Sequence, residues 1–246
     1  MKAYFKFLFV ALLLAPLPAF AEWEGTWSLD ESAGCESAQY DTFVVMEDHE
    51  GRMRGWTSRR DFGISWHHFV LESQGAESLQ GTTIPSSPVQ GDFSATFNGD
   101  ADSATFDGSV LDPVCPAAST FSARRDLPDG AIQDFTPAGD AATVQDFVGS
   151  WSFVHGRDPV TLNLVALRDG RLVGSVQSRF GSSVARFDAA RLSGQKLTLW
   201  STRNDDTLLK WSLEFGTSNG QVALSGRALS SLGRYVRLHG VRTANP

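Results

Sequence analysis

Lysine is nearly absent from this chain: beyond residue 21 only Lys196 and Lys210 occur, and arginine carries the remaining positive charge. Cysteine is as scarce. Cys35 and Cys115 stand alone, with no Cys or His nearby at ligand spacing, which argues against a zinc site. No apolar run approaches the roughly 20 residues that a membrane-spanning helix needs. No stretch of helical length past residue 21 carries a 3.6-residue period, which argues against helical bundles. Basic residues are the minority, 21 Lys and Arg against 28 Asp and Glu, for a net charge of −7. That balance argues against nucleic acid or an anionic membrane surface as a general partner.

What is present begins with a leader. Residues 1–21, "MKAYFKFLFVALLLAPLPAFA", join Lys2 and Lys6 to an apolar run from Phe7 to Leu14, with Ala19 and Ala21 as an A-x-A cleavage signal. This is the pattern of a secretory signal peptide, and it predicts a periplasmic or secreted chain starting at Glu22. Removing the leader takes two basic residues and no acids, moving the net charge from −7 to −9. In an oxidising compartment the leading reading of Cys35 and Cys115 is one disulfide, with free thiols or half of a metal site as alternatives.

The chain also repeats itself. "EGTWSLD" (24 to 30) answers "VGSWSFV" (148 to 154), and "FGISWHHF" (62 to 69) answers "FGSSVARF" (180 to 187) at an offset of 118. At that same offset Leu79 meets Leu197, Phe93 meets Trp211, Phe97 meets Phe215 and Gly108 meets Gly226. A constant offset over such a length predicts a tandem duplication with units of about 100 residues. Residues 22–125 form the first unit and 146–246 the second. The Pro, Gly, Asp and Ala-rich stretch 126–145 is read as a linker, with room for a short helical turn at its end. A single structure shared by both units is the rival arrangement.

Within each unit the period is two. Val160, Leu162, Leu164 and Ala166 alternate with their neighbours, "RDG" turns, and "KLTLW", "LLKWSLEF" and "VALSGRAL" follow as further strand-sized segments. The expected fold is all-β, a meander of roughly eight short strands per unit. Closing each meander into an antiparallel up-and-down barrel would remove its edges.

Such closure makes the first and last strands neighbours. Each unit opens on Gly-x-Trp, with Trp27 or Trp151, and ends near an arginine: Arg124 or Arg125 in the first, Arg242 in the second. An arginine across an indole there would seal the barrel end, worth about 0.5 to 2 kcal/mol. "GTW" with a late "ARR", and "GSW" with a late "GVR", resemble the structural signature of the calycin superfamily, the lipocalin-like and avidin-like barrels. The resemblance implies two tandem lipocalin-like barrels. Cys35 after the first strand and Cys115 before the last suit that layout.

Chemistry is thin. "GTSNG" (216 to 220) matches a nucleophile motif formally, but Asn-Gly between strands is a hairpin turn. Asn98, Asp100 and Asp102 have calcium-loop spacing without its glycine, glutamate or helices, so a hairpin turn is expected there too. Trp200 and Trp211 are expected in the core. The unusual cluster is "WHHF", where His67 and His68 are adjacent on a strand and must point to opposite faces. With Trp56, Trp66, Arg59 and Arg60 they are the candidate ligand-binding residues at a barrel mouth, against a plain packing role. No catalytic residue, metal or cofactor is assigned. The expectation is an exported non-enzymatic binding protein for a small apolar molecule or a protein partner. Alternatives are an enzyme using His67 or His68 as base beside Arg59 or Arg60, and an inhibitor of secreted proteases, a function found among calycin-like barrels.

Overall fold

The computed structural model describes residues 22–33, 41–59, 64–85, 90–108, 120–130, 133–155, 158–203 and 206–244. Cys35, Cys115, Arg60 and residues 1–21 lie outside these residues, as do the side chains of Arg59 and Trp66.

Eight strands build the first unit: β1 (Gly25–Ala33), β2 (Thr42–Glu47), β3 (Met53–Arg59), β4 (Ile64–Ser73), β5 (Ser78–Thr83), β6 (Asp92–Asp100), β7 (Ser103–Asp107) and β8 (Thr120–Arg125). Each pairs with the next and β8 returns to β1, so the barrel is closed, antiparallel and up-and-down. Alternation sends Phe43, Phe69, Phe93 and Phe106 inward, with Phe43 and Phe106 centroids 5.0 Å apart and Phe69 and Phe93 also 5.0 Å apart. Gly81 makes this packing possible, because a Cβ there would stand 1.9 Å from a Phe93 ring carbon.

After β9 (Thr136–Pro137) and the single turn α1 (Val144–Phe147), the second unit runs β10 (Gly149–His155), β11 (Asp158–Ala166), β12 (Leu172–Ser178), β13 (Ser183–Phe187), β14 (Ala189–Ser193), β15 (Lys196–Arg203), β16 (Asp206–Ser218), β17 (Gln221–Ser230) and β18 (Tyr235–Ala244). Its sheet order is β13-β12-β11-β10-β18-β17-β16-β15-β14. This sheet is nearly closed, a departure from the expected full closure. Its two end strands are consecutive in the chain, divided only by Asp188. At the 118 offset Asp188 takes the place of Val70 in the continuous β4. The Asp188 amide donates to the Trp200 carbonyl at 3.1 Å, while its carboxylate accepts from the Thr202 amide at 3.1 Å and from the Thr202 hydroxyl. The Asp188 carboxylate thus takes two donors of Thr202 on β15 at the point where β13 ends and β14 begins, which a valine could not do.

Both barrels are sealed the same way where the chain enters. Trp27 sits opposite Arg125 in the register and Trp151 opposite Arg242. Each guanidinium carbon lies 4.6 Å from its indole. The Trp27 indole donates to the Trp23 carbonyl at 3.0 Å and the Trp151 indole to the Phe147 carbonyl at 2.8 Å. Arg125 donates to the carbonyls of Glu24, at 2.9 Å, and Glu22; Arg242 donates to that of Asp146. Of the two arginines offered by "ARR", Arg125 does this. Arg124 pairs with Ser28 and is exposed on the opposite face.

The linker lies along the second sheet. Asp129 bridges to Val236 on β18, and β9 pairs with β16. The turns read from "GTSNG" and the acidic run appear as such: Asn219 and Gly220 have positive φ, 50° and 76°, between β16 and β17, and Ala101 and Asp102 join β6 to β7.

Candidate binding site

The described members of the "WHHF" cluster part company across the barrel wall. His67 points inward and is buried, its Nδ1 3.0 Å from the buried Thr57 hydroxyl. Burial pushes the imidazole below its ordinary pKa, so it is neutral near pH 7. A hydroxyl beside a neutral imidazole resembles a nucleophile and its base, yet both are sealed in the wall of a packed core. His68 points outward and stacks on Trp56, with centroids 5.0 Å apart and planes 17° apart. Burial, and next the Arg54 charge, lower its pKa to about 4, against an opposing pull from Asp48.

Trp56 is only 2% exposed although it faces out, because the second barrel covers it. Val44, Met46 and Trp56 on the outside of β2 and β3 pack with Leu229 and Tyr235 of β17 and β18. Of the side chains expected at a barrel mouth, Trp56 and the His68 stacked on it are therefore part of a seam between barrels, while His67 lies inside the first barrel. Trp200, expected in a core, belongs to the same seam: its indole donates to the Glu47 carbonyl at 2.8 Å. Trp211 is the true interior residue, packed against Phe153 and Phe187.

A charged knot flanks the seam. Lys210 is 5% exposed and its ammonium meets the carboxylates of Glu24 and, at 3.2 Å, Glu47. Arg191 meets Glu47 from the other side at 2.7 Å. Burial raises the Glu47 pKa, but Lys210 and Arg191 more than offset it and the carboxyl ends below its ordinary value.

Beside that knot, on the outer wall of the second barrel, opens a groove of about 520 Å³. Its floor comes from β15 to β18 and includes the polar side chains of Lys196, Ser212, Glu214, Ser225, Arg227 and Arg237, with Leu213 and Gly226 beneath them. Leu127 and Pro128 of the linker form its rim, held there by the Asp129 amide donating to the Tyr235 carbonyl at 2.8 Å and the Arg237 amide donating to the Asp129 carbonyl at 2.6 Å. None of these was singled out as a ligand residue from sequence. The available signals were the rarity of lysine and the outward parity of Ser225 and Arg227 on "VALSGRAL".

No family model matches the chain, and no curated protein matches it. Among solved structures it is similar to the crystal structure of a protein of unknown function from the DUF3598 family of Nostoc punctiforme PCC 73102. The two are 12% identical, with 92% of this chain and 98% of that one covered and a TM-score of 0.27. That likeness carries no functional argument.

Proposed function

We propose that this chain is an exported, non-enzymatic binding protein of two calycin-like barrels that takes its ligand on the outer wall of the second barrel. The observation that carries the reading is the groove of about 520 Å³ between the linker and strands β15 to β18. Its volume falls in the range of roughly 300 to 1,000 Å³ usual for small-molecule sites, which favour boundaries between structural units. Aromatic packing inside the first barrel supports an external site over an apolar ligand in that lumen. The buried Thr57 and His67 pair supports binding over catalysis. Export rests on the leader, and the calycin-like reading on the two Trp and Arg seals.

The experiment is native mass spectrometry of the protein recovered from periplasm or medium. The expected result is a chain beginning at Glu22 that carries a small molecule, absent from a folded Ser225→Trp variant whose indole fills the groove. A ligand retained by that variant would place binding elsewhere.

A further inference from the structure

The groove floor carries an arrangement that folding alone does not favour. Across β16, β17 and β18 the register sets Ser212 opposite Arg227 and Arg227 directly opposite Arg237. One row away, Lys196 is opposite Glu214 and Glu214 opposite Ser225. Like charges directly opposite on a sheet are destabilising. Among the described residues, no carboxylate lies within ion-pair distance of Lys196, Arg227 or Arg237; the ion pairs in this region are those of Lys210 and Arg191 with Glu24 and Glu47. Glu214 is the one acid on the floor against three cations. In a chain with a net charge of −7, a strip where three cations outnumber the one acid is an exception that needs a reason.

The strip is also organised. Arg227 donates to the Tyr235 hydroxyl at 2.6 Å, which steadies its guanidinium at the foot of the seam. The Arg237 amide is tied to the linker, so its side chain starts from a fixed point. Ser212 and Ser225 line the same floor. On the rim, Leu127 is 72% exposed beside Pro128, an apolar edge next to a cationic floor. A guanidinium fork matches the oxygens of a carboxylate or phosphate, and two forks with an ammonium suit an oxyanion better than any neutral group.

We propose that this groove binds a small amphipathic oxyanion, an organic molecule whose carboxylate or phosphate is held by Arg227, Arg237 and Lys196 and whose apolar part rests on Leu127 and Pro128. The proposal rests on the outer-wall site above and adds the class of its ligand.

Isothermal titration of the chain from Glu22 onward, at low ionic strength, tests it with phenyl phosphate, benzoate, inorganic phosphate and neutral benzyl alcohol as probes. The expected result is saturable one-site binding of phenyl phosphate or benzoate, at least tenfold tighter than inorganic phosphate, and none of benzyl alcohol. Preference for phenyl phosphate over benzoate marks a phosphate head group, and the reverse marks a carboxylate. Arg227→Gln and Arg237→Gln, each checked for a native circular dichroism spectrum, should weaken binding at least tenfold. Leu127→Ser should abolish the preference over inorganic phosphate alone. Absence of saturable anion binding, or binding indifferent to both arginine variants, overturns the proposal. If benzyl alcohol binds instead and Ser225→Trp blocks it, the outer-wall site stands and its anionic character falls; if nothing sensitive to Ser225→Trp binds, both fall.

Discussion

The guanidinium of Arg125 lies 4.6 Å from the indole of Trp27 and also donates to the backbone carbonyls of Glu22 and Glu24, in the chain just before β1. One side chain thus joins the last strand, the first strand and the entering segment. Arg242 and Trp151 repeat the contact at the same distance in the second barrel.

Replacing Arg125 with methionine keeps most of the apolar stem but removes the cation–π contact and the hydrogen bonds to carbonyls. A loss of about 1 to 3 kcal/mol is expected, and a similar one for Arg242→Met. Arg124→Met, on the exposed face, should stay within about 0.5 kcal/mol. Urea unfolding of the three variants measures this, and equal losses for Arg124 and Arg125 would contradict the assignment.

Lys210→Met leaves the Glu24 and Glu47 carboxylates facing an apolar neighbour. Breaking a buried pair costs about 3 to 5 kcal/mol, but both glutamates keep some exposure, so about 2 kcal/mol is expected here. Adding Glu24→Gln and Glu47→Gln to Lys210→Met should recover most of it. Recovery would show that stranded charge, and not lost packing, caused the damage.

Acid should loosen the seam. His68 has a folded pKa of about 4, below the ordinary 6.5, so the unfolded chain binds its proton first. Stability is therefore full above pH 6.5 and falls as pH drops towards 4, by an amount on the order of 2 kcal/mol. Glu47, held below its ordinary 4.5, adds a further loss at lower pH still. In His68→Gln the slope of stability between pH 6.5 and 4 should flatten, which a series of thermal melts reads directly.

Ala33 and Thr120 are partners across β1 and β8, so the strands flanking Cys35 and Cys115 meet at one place. The expected disulfide should make the intact mass two hydrogens lighter than that of the reduced chain. Reduction, or Cys35→Ser, should lower stability by roughly 4 kcal/mol.

Much of the fold was legible because its signals are local. Period-two alternation, Asn-Gly turns and the recurrence of Gly-x-Trp with a late arginine each depend on neighbours a few residues apart or on the repeat. Whether Arg124 or Arg125 met Trp27 was not legible, since that depends on the register of β8 against β1. Nor was the break at Asp188, a single polar residue in a strand pattern. The site was the least legible part. Trp56, His68 and Trp200 read as interior or ligand-facing because burial of an outer face by a second barrel has no period of its own. The groove joins β15, β16, β17, β18 and a linker, and only the register sets Arg227 opposite Arg237.

A ligand held on the outer wall, as proposed, leaves the barrel interiors undisturbed. Amide chemical-shift mapping of the isotopically labelled chain during titration with phenyl phosphate tests it most directly. Shifts are expected to concentrate at Lys196, Ser212, Ser225, Arg227 and Arg237, with Leu127 at their border. Shifts centred on inward residues such as Phe43, Thr57, His67 and Phe69 would contradict it.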